Sequence, residues 1–462
     1  MTEPRQRCAV AMRELVSWAA SCSFERIPAP VLRRAQQVLA DDLAAMVGAR
    51  DEPQVHAFHQ RVLARASSAQ ATVFRGGRSR TDPLWAAVAN AVAADWLELD
   101  EGYRPAPCHA GLYVIPALLA QAEADNIALR RMLRALVLSY EISTRLARAW
   151  KLQAPTIQPH GRFSAIGTAA GIALLHGCDE ELMAAALGTA VTLSGLSPRT
   201  HLAEGTLSRN VWPAAGAWSG MMAVEWAQCG IGGALTAFHD VYSSLLSGTA
   251  TPQVLTQGLG EQWAILDGYT KIYACCQHLH SAVEAALALR DELQALATPA
   301  DDIVSVTVAT HSLALPLRDA SPRTTLGAKF SMPHAVAAAL VLGSAGADAF
   351  ATDTLHAPAL QQLRQRIAIE PFTPELPAPH DRPARIVLRL RSGQTLSREC
   401  LSALGGPDRP VAADTVFDKV EQLAGPVYPA MRRVLESATM EQGWASLVHQ
   451  MCEQDADAVP LN

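Results

Sequence analysis

The chain has 462 residues, half of them hydrophobic and 18% charged, with a formal net charge of −6. That composition belongs to a folded protein with a large core and excludes a disordered chain; Lys and Arg are scattered without a basic run, which argues against a nucleic-acid partner. The opening MTEPRQRCAV has no signal-type apolar segment, no stretch reaches the roughly 18 apolar residues of a membrane helix, and the nine cysteines form no paired framework, so the sequence predicts a cytoplasmic protein away from membranes.

The first 250 residues read as helix. The segments 31–49, 82–99 and 130–150 place apolar residues three and four apart. Gly and Pro punctuate them at Gly48, Pro105–Pro107, Pro155–Gly161 and Gly195–Pro198. The stretch FSAIGTAAGIALLHG (163–177) is apolar almost all round, which predicts a helix in the middle of a multilayer bundle. After about residue 265 the period changes. IVSVTVAT (303–310) alternates Val304, Val306 and Val308 against Ser305 and Thr307, and 384–400 alternates around a Ser392-Gly393 hairpin turn. Helical stretches lie at 280–298, 331–344 and 357–367, Pro371–Pro383 reads as a loop, and 414–451 is helical again. The expected fold is mainly α: a large all-helical domain over 1–265, with 405–462 packing back on it, and a smaller α+β domain over 266–404.

No phosphate loop, dinucleotide fingerprint, nucleophile elbow or HExxH zinc motif is present. Four polar stretches stand out in apolar surroundings. They are Glu98, Asp100 and Glu101 ahead of His109; His160 at the start of a buried helix; Arg209 ahead of a small-residue helix; and KIYACCQHLH with Lys271. Residue by residue, each has a plain alternative. The carboxylates suit a helix end, a histidine before a helix is commonly a cap or core residue, and a single Arg or Lys is usually a solvated charge. The Cys-Cys-x-His-x-His run lacks the ligand spacing of a tetrahedral zinc site. In a helix starting near Cys276, that residue and His280 would share a face.

In order along residues 10–425, AAVANAVAADWLELDEGY, HAGLYVIPALLAQAE, LVLSYEISTRLARA, HGRFSAIGTAAGIALLHGCDEELMAAALGTA, EGTLSRNVWPAAGAWSG, KIYACCQHLHSAVEAALAL and AKFSMPHAVAAALVLG resemble segments of the MmgE/PrpD family. That family includes 2-methylcitrate dehydratase, cis-aconitate decarboxylase and iminodisuccinate epimerase. The resemblance implies a homodimer whose smaller domain acts as a lid over the helical one, with no metal and no cofactor. It places the central histidines at His109 and His160 and a lysine at Lys271, the expected catalytic set. Arg209 stands where these enzymes carry their first lysine, Glu98 where they carry an aspartate, Gly102 for a threonine, Trp212 for a histidine, Cys276 for a histidine and His334 for a lid tyrosine. Arg209, Glu98, Asp100, His334 and His280 are the expected substrate-binding group.

The implied chemistry is loss of water or CO2 from a small polycarboxylate, by histidine acid/base transfer with Arg209 and Lys271 on the carboxylates. An isomerase or epimerase on the same scaffold, and a catalytically silent ligand-binding member, are the alternatives at this level. Arginine holds its proton too firmly for a lysine's proton-transfer role, so Arg209 fits a clamp.

Overall fold

A computed structural model describes residues 3–152, 156–195 and 197–453; the ends of the expected domains at 1–2 and 454–462, and 153–155 and 196 within the breaks, lie outside the described residues. The architecture is mainly α, with a smaller α+β part. No helix among the described residues is long and apolar enough to cross a membrane.

The buried central helix is Pro159–His176. Pro159 opens it, Gly177 at φ 71° ends it, and every residue from His160 to Leu175 is buried. The helices Leu129–Ala149 and Trp212–Gln228 pack against it. The second approach is very close. A Cβ on Gly216 would lie 2.1 Å from the Ser164 hydroxyl, and one on Gly220 would lie 2.5 Å from the Ala165 carbonyl oxygen. Glycine at these two positions lets the backbones meet, and so fixes where Arg209, one turn before Trp212–Gln228, stands relative to His160.

The expected helix over 82–99 stops early. Pro83–Ala94 is helical, capped by the Asp82 side chain accepting from the Trp85 N–H, and the chain then leaves the helix. Trp96, Leu97 and Leu99 keep their apolar spacing because they are buried in the following loop, not because the helix continues. Glu98 in that loop has φ 55°, in the left-handed region that non-glycine residues avoid.

One four-stranded sheet runs Thr395–Cys400, Ala384–Leu390, Ile303–Thr310, Ile367–Pro371. The first three are antiparallel, with Val306 opposite Leu388 and Val308 opposite Ile386; the last is parallel to Ile303–Thr310. Two expectations change here. The register slips between Ile303 and Ser305, so Val304 turns outward (54% exposed) and Ile303 takes its place in the core. The strand Ile367–Pro371 went unread because it is a half-exposed edge strand directly after the helix Pro358–Arg364, and it offers little alternation. The helix His280–Ala295 covers the sheet, with Met332–Leu342 against it.

The C-terminal helices include Ala413–Ala424, which packs on Ala29–Gly48, and Trp444–Cys452, which packs on Ile115–Ala124.

Candidate active site

A two-residue ladder assembles the site. Gly102–Tyr103 pairs antiparallel with Gly268–Tyr269, which brings the acidic loop 95–101 beside Lys271. Gly102 is required sterically, because a Cβ there would lie 2.2 Å from the Tyr269 hydroxyl. That explains the glycine where the resemblance expects threonine. Lys419 ties the two segments from behind: its Nζ donates to the Leu99 carbonyl at 2.6 Å, the Lys271 carbonyl at 3.0 Å and Asp41 Oδ1 at 2.7 Å.

Five buried charges meet between these segments. Arg209 Nη1 contacts Asp95 Oδ2 at 2.7 Å, and its Nη2 contacts Glu98 Oε1. Lys271 Nζ donates to Glu98 Oε2 at 3.2 Å and to Asp100 Oδ1 at 3.1 Å. Burial opposes charge here: it prevails at Asp95, which is pushed well above the usual carboxylate range in spite of Arg209, while Lys271 and Asp100 hold each other charged. Asp100 and Glu98 push Lys271 up, so it stays an ammonium. Against its own burial, Asp100 is held well below the usual carboxylate range by Lys271 and then His109. Removing water makes each partner indispensable to the rest. The strained backbone of Glu98 has a reason here, since its carboxylate bridges both cations.

His109 reaches Asp100 Oδ2 at 2.6 Å and the Glu101 carbonyl at 2.8 Å, both through Nδ1. Both partners accept, so Nδ1 carries the proton and Nε2 keeps a lone pair. His109 lines a cavity of about 750 Å³, as do Glu98, Arg209 and Lys271. His160 is fully buried, its ring centroid 4.8 Å from that of His109 and nearly perpendicular to it. Its Nδ1 lies 3.1 Å from the Tyr113 hydroxyl and its Nε2 is 3.7 Å from Asp95 Oδ2. Burial first, then Arg209 and His109, push His160 well below the usual imidazole range, so it is neutral at pH 7.

The structure thus gathers Glu98, Asp100, His109, His160, Arg209 and Lys271. It does not bring in the other two. His280 opens the helix His280–Ala295 and bonds the Cys275 carbonyl at 3.1 Å; burial pushes it down to about 3. Cys276 precedes that helix, separated by a short 3-10 turn, so the two do not share a helical face. His334 is buried on Met332–Leu342, where its ring nitrogens meet the Ala349 carbonyl at 3.0 Å and Arg364 at 2.9 Å, and burial pushes it down to about 4. Burial likewise holds Cys276 as a thiol, up at about 11.

Sequence reasoning missed Asp95, Tyr113 and Lys419, and on the cavity wall Tyr269, Arg199 and Arg382. Asp95 had a signal: it is a carboxylate inside the apolar run AAVANAVAADWL. Arg199 opens the short helix Arg199–Ala203 directly after Pro198 and Arg382 sits in a Pro-containing loop, and neither has a distinguishing pattern in the sequence.

Comparison with known proteins gives matches along both parts of the chain. The family model described as the MmgE/PrpD N-terminal domain matches residues 13–249, and the MmgE/PrpD C-terminal domain matches 273–442. A cis-aconitate decarboxylase-like protein of Aspergillus oryzae is 26% identical over 458 residues, covering 91% of each chain. A cis-aconitate decarboxylase of Aspergillus terreus is 24% identical over 459 residues, covering 90% of this chain and 89% of its own.

Proposed function

We propose, on the premise that the chain belongs to the MmgE/PrpD family, that it is a cofactor-independent lyase acting on a small polycarboxylate, of the dehydratase or decarboxylase type. The observation that carries this reading is the Asp100–His109 pair on a cavity wall, backed by a buried ammonium. Relatives bearing the name cis-aconitate decarboxylase support the substrate class.

In this mechanism Asp100 fixes the Nδ1–H tautomer of His109, leaving Nε2 to take or return a substrate proton. The imidazolium that forms is stabilised by the Asp100 carboxylate. Lys271 and Arg209, paired with Glu98, Asp95 and Asp100, lock the acidic loop behind His109, and Lys271 keeps Asp100 ionised to receive the charge of the imidazolium. Lys271 is too firmly protonated to be the acid itself, so its part is electrostatic. His160 and Tyr113 orient His109 from behind. The sheet-containing part is the lid over the helical part in this reading, and the working form is a homodimer in the cytoplasm.

The test is proton exchange in D2O followed by NMR with citrate, 2-methylcitrate, cis-aconitate and iminodisuccinate. Exchange or product that disappears in His109→Ala and His160→Ala supports the reading, and the product names the branch. Wild-type protein inert toward all four removes the support for a lyase of this class.

A further inference from the structure

The charges of the cavity are not distributed as the expected clamp requires. Arg209 already contacts Asp95 and Glu98, and Lys271 already contacts Glu98 and Asp100, so neither cation is free. A substrate carboxylate would have to displace one of these to bind there. Elsewhere on the same wall stand Arg104, Arg199 and Arg382. Arg104 is paired with Asp381 at 2.5 Å. Arg199 has no carboxylate partner among the described residues; Arg382 donates to the Gln277 side chain and, at 3.1 Å, to the Arg104 carbonyl, while its buried Nε has no partner. Asp408, the remaining carboxylate on this wall, bonds none of the three. Arg382 shares the field of Asp381 with Arg104, two guanidinium groups to one carboxylate, and the planar fork of a guanidinium matches a carboxylate.

We propose that Arg199 and Arg382 form a second subsite, which takes a substrate carboxylate remote from the one beside His109 and sets a preference for tricarboxylates over dicarboxylates. The proposal rests on the reading of this cavity as the substrate site. It assigns binding and specificity to the two arginines and leaves proton transfer to His109.

Tricarballylate, which is inert, and glutarate, the same carbon chain without the middle carboxylate, are suitable probes for calorimetry on the full chain. Tricarballylate is expected to bind saturably and at least tenfold more tightly than glutarate. Arg199→Gln and Arg382→Gln should each weaken it tenfold or more. Equal affinities for the two acids, no saturable tricarballylate binding, or arginine variants within twofold of wild type would overturn the proposal. Arg382 also braces Gln277 and the Arg104 carbonyl, so if Arg382→Gln does not fold, Arg199→Gln decides alone, since it breaks no described side-chain bond. Arginine-dependent binding without turnover of any acid would sink the lyase reading and leave the subsite standing; turnover indifferent to both arginines would do the reverse.

Discussion

Asp100 has the most to say at the scale of single residues. Its two oxygens serve two partners, Lys271 on one and His109 on the other. Asp100→Asn removes the charge that stabilises an imidazolium and lets the amide select the wrong tautomer. The exchange rate should fall about 10²–10⁴-fold, with the circular-dichroism spectrum unchanged. Glu101 next to it has a different role. It is fully buried, accepts from the Gly111 N–H at 2.6 Å and the Tyr140 hydroxyl at 3.0 Å, and burial pushes it up to about 7 from 4.5. The unfolded chain releases this proton near 4.5 and the folded protein near 7, so folding takes up a proton between those values. Stability from this group is complete below the lower value and lost as pH rises through the upper one, ~3 kcal/mol in all. Glu101→Gln keeps an acceptor without the titration. Unfolding free energies from urea titrations across that window should fall with pH more steeply in wild type than in the variant; parallel curves would count against it.

Elements matter here mainly through how closely they approach. The Gly102–Tyr103 ladder holds the acidic loop against Lys271 only because Gly102 leaves space for the Tyr269 hydroxyl. Gly102→Ala forces Tyr269 or the ladder aside. Overpacking of this kind costs about 1–3 kcal/mol, and activity should drop more than stability because Tyr269 and Lys271 share the cavity wall. The helix Ala413–Ala424 contributes through a single side chain. Lys419→Met strands Asp41 and two carbonyls in the interior. Loss of one partner of a buried pair costs roughly 3–5 kcal/mol, readable as a lower denaturation midpoint. An unchanged midpoint would mean that water reaches Asp41 in the folded protein.

At the scale of the whole molecule, several large apolar side chains among the described residues stand exposed at or beside the helix Trp212–Gln228. Val211, just before the helix Trp212–Gln228, and Trp218 on it are 47% and 41% exposed, and Trp85 on the adjoining helix Pro83–Ala94 is 44% exposed. A second copy of the chain suits such side chains better than water does. Light scattering should give about twice 49.3 kDa, and Trp218→Glu should shift the mass toward one chain; a wild-type monomer would remove the homodimer from the proposed working form.

Hydrophobic period alone determined the helical character of the first 250 residues, the burial of Pro159–His176, the strands at 303–310 and 384–400 and the return to helix at the C-terminus. Those features follow from which side chains must leave water, and period records that locally. Polar residues in apolar runs were visible one by one but each had a plain alternative, and it was the ordered resemblance to the MmgE/PrpD family that pointed to His109, His160, Arg209 and Lys271. Only the tertiary structure decided that His280 and His334 face elsewhere, that Asp95 and Lys419 join the network around Arg209 and Lys271, and that Arg199 and Arg382 stand on the cavity wall. The partners of Arg209 and Lys271 lie more than a hundred residues away along the chain. Coulomb energy depends on distance in space and on the exclusion of water, and neither is written in the order of residues.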